Sequence, residues 1–437
     1  MKLAFIGTGY VGLVSGVMMS HLGHHVICID VDKTKINLLK EHKSPIFEPN
    51  LENYLLDCSN QGRIEFTHRY DNKLLEVDCV FITVGTPSME DGGADLSYIY
   101  EAANAVAKYI RPECIVVIKS TVPPGTCKSV QDLLLKNGFR NSVVSNPEFL
   151  REGSAISDFL NPDRIVVGTS DQHSALIMEQ VYLPLINQGI KLVLTDLITS
   201  ELIKYASNSF LAAKIAFINE MADLCEIVGA DVEILSQAVG LDKRIGSSFL
   251  KAGPGFGGSC FPKDILALQK LTMTSKGQFL LLDALITANQ TRADKMVQKI
   301  KAALSGNLKN KTVAILGLTY KAGTDDLRSS PSIPIIEGLR KEGTNIIAYD
   351  PKALGNVPKY FGSLECKNSE IEAISGADAL VIITEWPEFK YLDLVTAKKV
   401  MKGNVIVDLR NILNQEQVIS NGFEYHSIGR KKRASEK

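Results

Sequence analysis

The sequence predicts two α/β domains, each a parallel sheet with helices on both faces, joined by a central helical domain that contains one long helix. Three observations predict it. Short β-rich runs alternate with amphipathic stretches in the first part of the chain, the alternation gives way near Asp196 to helical sequence, and it returns at Lys311. Alternation implies a parallel sheet because parallel neighbours need a long crossover, and a helix is the usual one.

In chain order, the first strands are expected at Lys2–Ile6, His25–Ile29, Cys79–Thr83, Cys114–Lys119 and Asn141–Ser145, with Arg164–Gly168 and Lys191–Leu194 added at the end. Val11–Leu22 and Tyr98–Lys108 read as helices between them. From Ile198 to Val228 there is no proline or glycine. That stretch reads as one helix, with Thr199 or Ser200 near its start and Gly229 just past its end. A second helical stretch runs from about Ile265 to Met296, with a break at Gly277. Thr312–Leu316, Asn345–Tyr349, Ala379–Thr384 and Val405–Asp408 are the later strands, and Ile333–Lys341 is a helix between the first two. The domains are therefore placed at 1–196, 197–300 and 301–420, followed by a tail at 421–437. The basic run Arg430-Lys431-Lys432-Arg433 reads as part of a solvated end.

Composition sets outer limits. A chain of 437 residues suits two or three domains, and 45% apolar with 22% charged residues is the balance of a globular protein. The net charge of -1 favours neither nucleic acid nor an acidic membrane surface. Lys2 leads straight into a strand and then glycines, and no stretch approaches the roughly 20 apolar residues of a spanning helix. The eight cysteines are scattered and form no C-x-x-C, so neither a zinc site nor a disulfide scaffold is expected. Cys28, Cys79 and Cys114 lie in strand runs and read as core. The expectation is a cytoplasmic protein.

Gly7-Thr8-Gly9-Tyr10-Val11-Gly12 follows a strand, opens a helix, and precedes a second strand that ends at Asp30. That is the full context of the G-x-G-x-x-G dinucleotide fingerprint, in which backbone N–H groups meet a pyrophosphate at a helix N-terminus. Asp30 is placed to accept from ribose hydroxyls, and its charge repels a 2′-phosphate, so NAD is expected over NADP. The outer domains are accordingly expected to be Rossmann-like. Val84–Pro87 and Ser120–Thr126 are loops at carboxyl ends of strands, where such folds line their ligand crevice.

The densest chemistry lies in Gly253-Pro254-Gly255-Phe256-Gly257-Gly258-Ser259-Cys260-Phe261-Pro262-Lys263-Asp264. Cys260 stands just before a helix expected to begin at Pro262 or Lys263, and a helix N-terminus and Lys263 both favour a thiolate. A cysteine there can attack an aldehyde, and the thiohemiacetal can then be oxidised to a thioester that water hydrolyses. Lys204 and Asn208 share one face of the long helix and can stabilise an oxyanion, while Glu148 and Glu152 follow another strand and can position water or accept a proton. In the second α/β domain Gly317 to Gly323 form a first turn, and Lys321 and Arg328 supply charge for a second nucleotide. Solvent-exposed charge explains the latter pair equally well.

Gly7–Gly12, Val84–Pro87, Ser120–Thr126, Asn146–Gly153, Lys204 with Asn208, Gly255–Asp264 and Lys321 through Pro331 occur in one order, and on them the chain resembles the UDP-glucose/GDP-mannose dehydrogenase family from Met1 to about Arg410. The resemblance implies oxidation of UDP-glucose with two NAD and water to UDP-glucuronate. GDP-mannose is the nearer alternative substrate and UDP-N-acetylmannosamine the further one, since relatives acting on the latter usually carry histidine where Ser259 stands. It implies Cys260 as nucleophile, Lys204 and Asn208 at the oxyanion, Asp264 activating water with Thr121 and Glu148, and Glu152 beside water and nicotinamide. On the cofactor side it carries over Gly7, Tyr10, Val11, Gly12, Asp30, Lys35, Thr86, Thr121, Lys263 and Arg328, with Gly9 inside the same fingerprint. On the sugar-nucleotide side it carries over Phe149, Leu150, Arg151, Phe249, Lys251, Gly253, Gly257, Tyr320, Lys321 and Arg410. Arg244 is expected to reach the substrate of a neighbouring subunit in a homodimer. Phe249 departs from a frequent tyrosine, which removes a hydroxyl. A β-hydroxyacid dehydrogenase would need neither Cys260 nor a third domain, and an NAD-sensing regulator need not keep Cys260, Lys204, Asn208 and Asp264 together.

Overall fold

The computed structural model describes residues 1–430. They form two compact units, one of Met1–Ser207 with Leu266–Gly277, the other of Asn208–Ile265 with Gln278 onward. The helical segment expected as a domain at 197–300 is thus divided between them.

In the first unit the chain runs β1 (Lys2–Ile6), α1 (Tyr10–His21), β2 (His25–Ile29), α2 (Lys33–Lys40), α3 (Leu51–Asn60), β3 (Ile64–Thr67), β4 (Cys79–Ile82) and α4 (Ser97–Val106). It continues through β5 (Ile115–Ile118), α5 (Thr126–Lys136), β6 (Val143–Ser145), α6 (Ala155–Leu160), β7 (Ile165–Gly168), α7 (Gln172–Ile186) and β8 (Leu192–Thr195) into the 32-residue α8 (Leu197–Val228). The sheet order is β3-β2-β1-β4-β5-β6-β7-β8. All its pairings are parallel except β6 with β7. Every residue of β4 and β5 is buried, as central strands covered on both faces must be. The change of direction at β1, between β2 and β4, places the loops after β1 and β4 at the switch point where such sheets hold ligands.

The second unit continues from α8 into α9 (Val232–Gly240), the head of α10 (Phe261–Thr274), whose residues from Leu266 on belong to the first unit, and α11 (Leu280–Ala303). Then follow β9 (Thr312–Leu316), α12 (Ser332–Lys341), β10 (Asn345–Tyr349), α13 (Val357–Phe361), β11 (Glu365–Cys366), α14 (Glu370–Ile374), β12 (Ala379–Ile382), α15 (Leu394–Val400), β13 (Val405–Asp408), α16 (Gln415–Ser420) and β14 (Glu424–Ser427). Its sheet, β11-β10-β9-β12-β13-β14, is parallel throughout and repeats the order of the first six strands of the other. Ile218, Ala222 and Cys225 of α8 lie in one hydrophobic cluster with Met296 and Ile300 of α11 and with Val313 and Ile315 of β9.

Several expectations need correction. Thr199 and Ser200 lie near the start of α8 as expected, but the cap itself is Asp196, whose carboxylate accepts from the Thr199 amide at 2.9 Å and its hydroxyl at 2.6 Å. The break at Gly277 is real, but the flanking helices extend further, to Phe261 and Ala303. The expected tail contains β14, and Arg430 bridges to Asp231 at 3.6 Å, so neither belongs to a free end. The rest of the basic run lies outside the described residues. Gly229 ends α8 as expected, in the left-handed region at φ 79°, with its amide on Cys225 O. Among the described residues no helix is long and apolar enough to cross a membrane.

Candidate active site

Three residues separate β1 from α1. The tightness of that turn requires glycine at 12, where a Cβ would stand 1.9 Å from the Gly7 carbonyl oxygen. Around Gly9, by contrast, a Cβ would meet nothing within 4 Å, so the turn faces open space. The first amides of α1 have no helical partner and are available to an anion. Asp30, just beyond β2, accepts from Thr8 N at 2.7 Å and Thr8 Oγ1 at 2.8 Å through one oxygen, and from Asp32 N at 2.9 Å through the other. Burial pushes its pKa up, but these hydrogen bonds and the nearby Lys35 charge win, and the carboxyl is held below its ordinary value. A half-buried, ionised carboxylate beside an open amide-lined turn fits NAD, with Gly7, Gly9, Tyr10, Val11 and Gly12 toward the pyrophosphate and Asp30 toward a ribose. Thr86 Oγ1 donates to Thr121 O at 3.0 Å and ties together the loops after β4 and β5.

The loop after β6 carries Glu148. Its carboxylate pairs with Lys204 of α8 at 3.2 Å, both side chains being almost fully buried, and also accepts from Leu150 N. Phe149 is stacked under the Arg164 guanidinium, 3.7 Å from its ring centroid, with Lys204 Nζ at 5.2 Å. Arg151 is committed to Asp158, at 3.0 Å and 2.5 Å. Behind the loop lies Lys119, which sequence reasoning passed over. Its ammonium donates to Asn146 Oδ1 and Tyr182 Oη, each at 3.2 Å, beside a cavity of about 40 Å³ also lined by Glu148, Phe149 and Arg164. Burial lowers its pKa to about 8, against the opposing pull of Glu148.

In the second unit, Cys260 stands at the head of α10, its carbonyl accepting the Asp264 amide at 2.9 Å. It is partly exposed, whereas Cys28, Cys79, Cys114, Cys127 and Cys225 are buried, and burial pushes those five thiols up, Cys114 to about 12. Cys28, Cys79 and Cys114 are core residues, as expected. Asp264 is 1% exposed and receives Asn208 Nδ2 at 2.6 Å and Lys263 Nζ at 2.7 Å. The Lys263 charge is thus matched by the Asp264 carboxylate. The glycine loop is held by side chains the motif does not contain. Asn219 accepts from Gly253 N at 2.7 Å, Arg292 donates to Gly253 O at 3.1 Å, and Asn289 brackets Phe256 with bonds to its N and O. Asn219 was discoverable, since it repeats the helical face of Asn208 three turns on; Asn289 and Arg292 carried no such signal. Gly257 is obligatory, because a Cβ there would lie 2.1 Å from Ser329 O.

Arg410 donates to Ile383 O at 2.7 Å and Tyr320 O at 3.1 Å, and its guanidinium lies against Gly253. The Tyr320 ring packs on Gly258, with the Lys321 ammonium 5.6 Å from its centroid. These predicted residues, with Gly257 and Cys260, form one neighbourhood. Arg328 presents its backbone carbonyl to Gly258 N while its guanidinium forks onto Asp326. Phe249, at φ 65°, stands 6.1 Å from Phe261, and Lys251 is exposed. Arg244 is not brought to the others. Its side chain is 89% exposed and bound to Asp242.

Comparison with known proteins covers the same ground. Residues 1–186 match the NAD binding domain of the UDP-glucose/GDP-mannose dehydrogenase family, residues 198–291 its central domain, and residues 314–415 its UDP binding domain. A UDP-glucose 6-dehydrogenase of Rickettsia typhi is 53% identical over 99% of this chain and 100% of its own length. One from Rhizobium meliloti is 48% identical over 98% and 100%. The solved structure of a UDP-glucose dehydrogenase from Pyrobaculum islandicum superposes with a TM-score of 0.90 at 36% identity, covering 97% of this chain and 96% of that one.

Proposed function

This chain belongs to the UDP-glucose/GDP-mannose dehydrogenase family, and from that premise we propose that it oxidises the C6 alcohol of UDP-glucose to the carboxylate of UDP-glucuronate. NAD, when bound, takes up the two electrons of each of the two oxidations. The observation that carries the reading is Cys260, a partly exposed cysteine at the head of α10, followed one turn later by a buried carboxylate that Asn208 and Lys263 hold in place.

The chain's own residues divide the work. In the first unit, Asp30 and the Gly7–Gly12 turn hold the dinucleotide, and Thr86, Thr121 and Lys35 flank it. Lys204, paired with Glu148, keeps a positive charge in a dry setting, where it stabilises an alkoxide far better than in water. In the second unit, the Cys260 sulfur adds to the C6 aldehyde, and Asn208 supports the oxygen that becomes negative. After the second oxidation the acyl group rests on sulfur. Water then attacks the thioester carbonyl, Asp264 takes the water proton, and the C–S bond breaks to release carboxylate and thiol. Glu152 would stand on the nicotinamide side of a bound cofactor. Toward the sugar nucleotide the first unit offers Phe149, Leu150 and Arg151, and the second Phe249, Lys251, Gly253, Gly257, Tyr320, Lys321 and Arg410; Lys263 and Arg328 are the second unit's cofactor residues.

Two further parts of the proposal concern setting. Exposed Ile198, Leu202, Phe210, Phe217, Leu224 and Val228 lie along one face of α8, which supports a homodimer through that helix, with Arg244 reaching the neighbouring subunit's substrate. The free cysteines support a reducing cytoplasm. The test of function is direct. UDP-glucose, GDP-mannose and UDP-N-acetylmannosamine are each offered with NAD, and NADH is followed. Fastest turnover with UDP-glucose is expected; preference for either other sugar nucleotide rejects the substrate assignment.

A further inference from the structure

Glu48 takes no part in the chemistry above, yet it is a carboxylate only 6% exposed, set between two functional segments. One oxygen accepts the amide of Gly153 at 2.7 Å and the other that of Ala155 at 2.8 Å. The Ala155 amide is the first of α6, whose own N-cap residue, Ser154, makes no side-chain cap bond, and Gly153 stands just before that cap, so Glu48 closes the end of the loop that carries Glu148 and Glu152. On its other side is Tyr10, the first residue of α1 and part of the dinucleotide turn. The Tyr10 hydroxyl donates to Phe47 O, one residue before Glu48. Burial, then Glu48 and Glu152, push the Tyr10 phenol far above its ordinary value, so it remains a donor. A segment only two residues long, Phe47-Glu48, thus grips both the cofactor turn and the loop after β6.

We propose that Glu48 is a positioning residue that links occupancy of the dinucleotide turn to the order of the 148–155 loop. The route is Tyr10 to Phe47-Glu48 to the Gly153 and Ala155 amides, all within the first unit. Anion binding at the α1 N-terminus fixes Tyr10; Tyr10 fixes the Phe47-Glu48 turn; the turn fixes the loop. By linkage, a sugar nucleotide that orders the loop tightens the cofactor to the same degree. The inference rests on the reading of the turn as an NAD site.

Amide hydrogen exchange of the peptide spanning 148–160 tests it, with and without saturating NAD, in wild type, Tyr10→Phe and Glu48→Gln. In wild type, NAD is expected to slow exchange at Gly153 and Ala155 by about tenfold or more. Glu48→Gln removes a cap and raises exchange on its own account. Tyr10→Phe leaves the cap intact and is the decisive variant: its NAD-dependent protection is expected to fall below about threefold, and the factor by which NAD tightens UDP-glucose to fall toward one. A purely structural cap would leave both at wild-type values in Tyr10→Phe, and that result overturns the proposal. The functional reading fails separately. An enzyme that shows the NAD-dependent protection but makes no NADH from UDP-glucose keeps the link and loses the substrate.

Discussion

Asp30 and Asp350 occupy the same place in two sheets of the same order, one residue past the second strand, and their surroundings are opposite. Asp30 accepts three bonds and remains half-exposed beside a turn of three residues. Asp350 is fully buried and takes six donors: Leu318 N, Thr319 N, Thr319 Oγ1 and the Trp386 indole N–H on one oxygen, Lys352 N and Ala353 N on the other. The turn it serves is the long segment from Gly317 to Pro331, which Ser330 and Ser332 fold back onto Leu318 O. The ends of the fifth strands repeat the contrast. Lys119 sits by a cavity just after β5, while Asp408, the last residue of β13, is closed by Arg410 N, Leu413 N and Tyr425 Oη. The strand order that makes a nucleotide crevice is therefore kept in both, but only the first leaves its carboxylate partly exposed at the turn. The second spends that position on stability and presents Tyr320, Lys321 and Arg410 instead.

The comparison can be broken first at Asp350. Asp350→Ala leaves six donors without their acceptor and is expected to cost about 4 kcal/mol of stability in urea unfolding. The folded fraction should keep its affinity for NAD, and a selective loss of NAD binding would show that the second turn is also a dinucleotide site. Asp30→Ala should do the reverse. It removes charge-assisted bonds to a ribose, worth about 2 kcal/mol, so KM for NAD should rise roughly thirtyfold while the gap to NADP narrows; unfolding should shift less than in Asp350→Ala, because three donors lose their acceptor and not six. Wild-type protein that uses NADP as readily as NAD rejects this reading of Asp30.

A third effect belongs to Lys119 and shows only across pH. Its folded pKa, about 8, lies below the unfolded value, so the unfolded chain binds more protons between them. Stability should then rise with pH from about 8 toward 10, by at most about 1.4 kcal/mol per unit. Lys119→Met should remove that rise from urea unfolding measured across the same window. An unchanged pH slope would mean that Lys119 is solvated.

How much of this was legible depended on how local the signal was. The fingerprint at Gly7–Gly12, the strands β1, β9, β10 and β13, and Cys260 with Asp264 are short-range patterns, and each stands where the sequence put it. β3 and β14 escaped because an edge strand needs no continuous apolar run, and Glu424-Tyr425-His426-Ser427 has none. The six-donor closure of Asp350 was hidden as well, because Trp386 reaches it from 36 residues away. Lys119, Arg292 and Glu48 share that property: their partners are far along the chain, and only the fold names them.

The central claim is that acyl transfer runs through the Cys260 sulfur. It is tested most directly by counting NADH per UDP-glucose consumed in wild type and Cys260→Ala, with intact mass of Cys260→Ser after a single turnover. Wild type should give two. Cys260→Ala should lose the second oxidation, because no covalent hemiacetal can form, and Cys260→Ser should accumulate a sugar-nucleotide adduct, since an oxygen ester hydrolyses far more slowly than a thioester. A Cys260→Ala enzyme that turns over at a near-native rate with two NADH per sugar would contradict the account, and the aldehyde would then have to be oxidised as its hydrate with Asp264 or Glu148 as base.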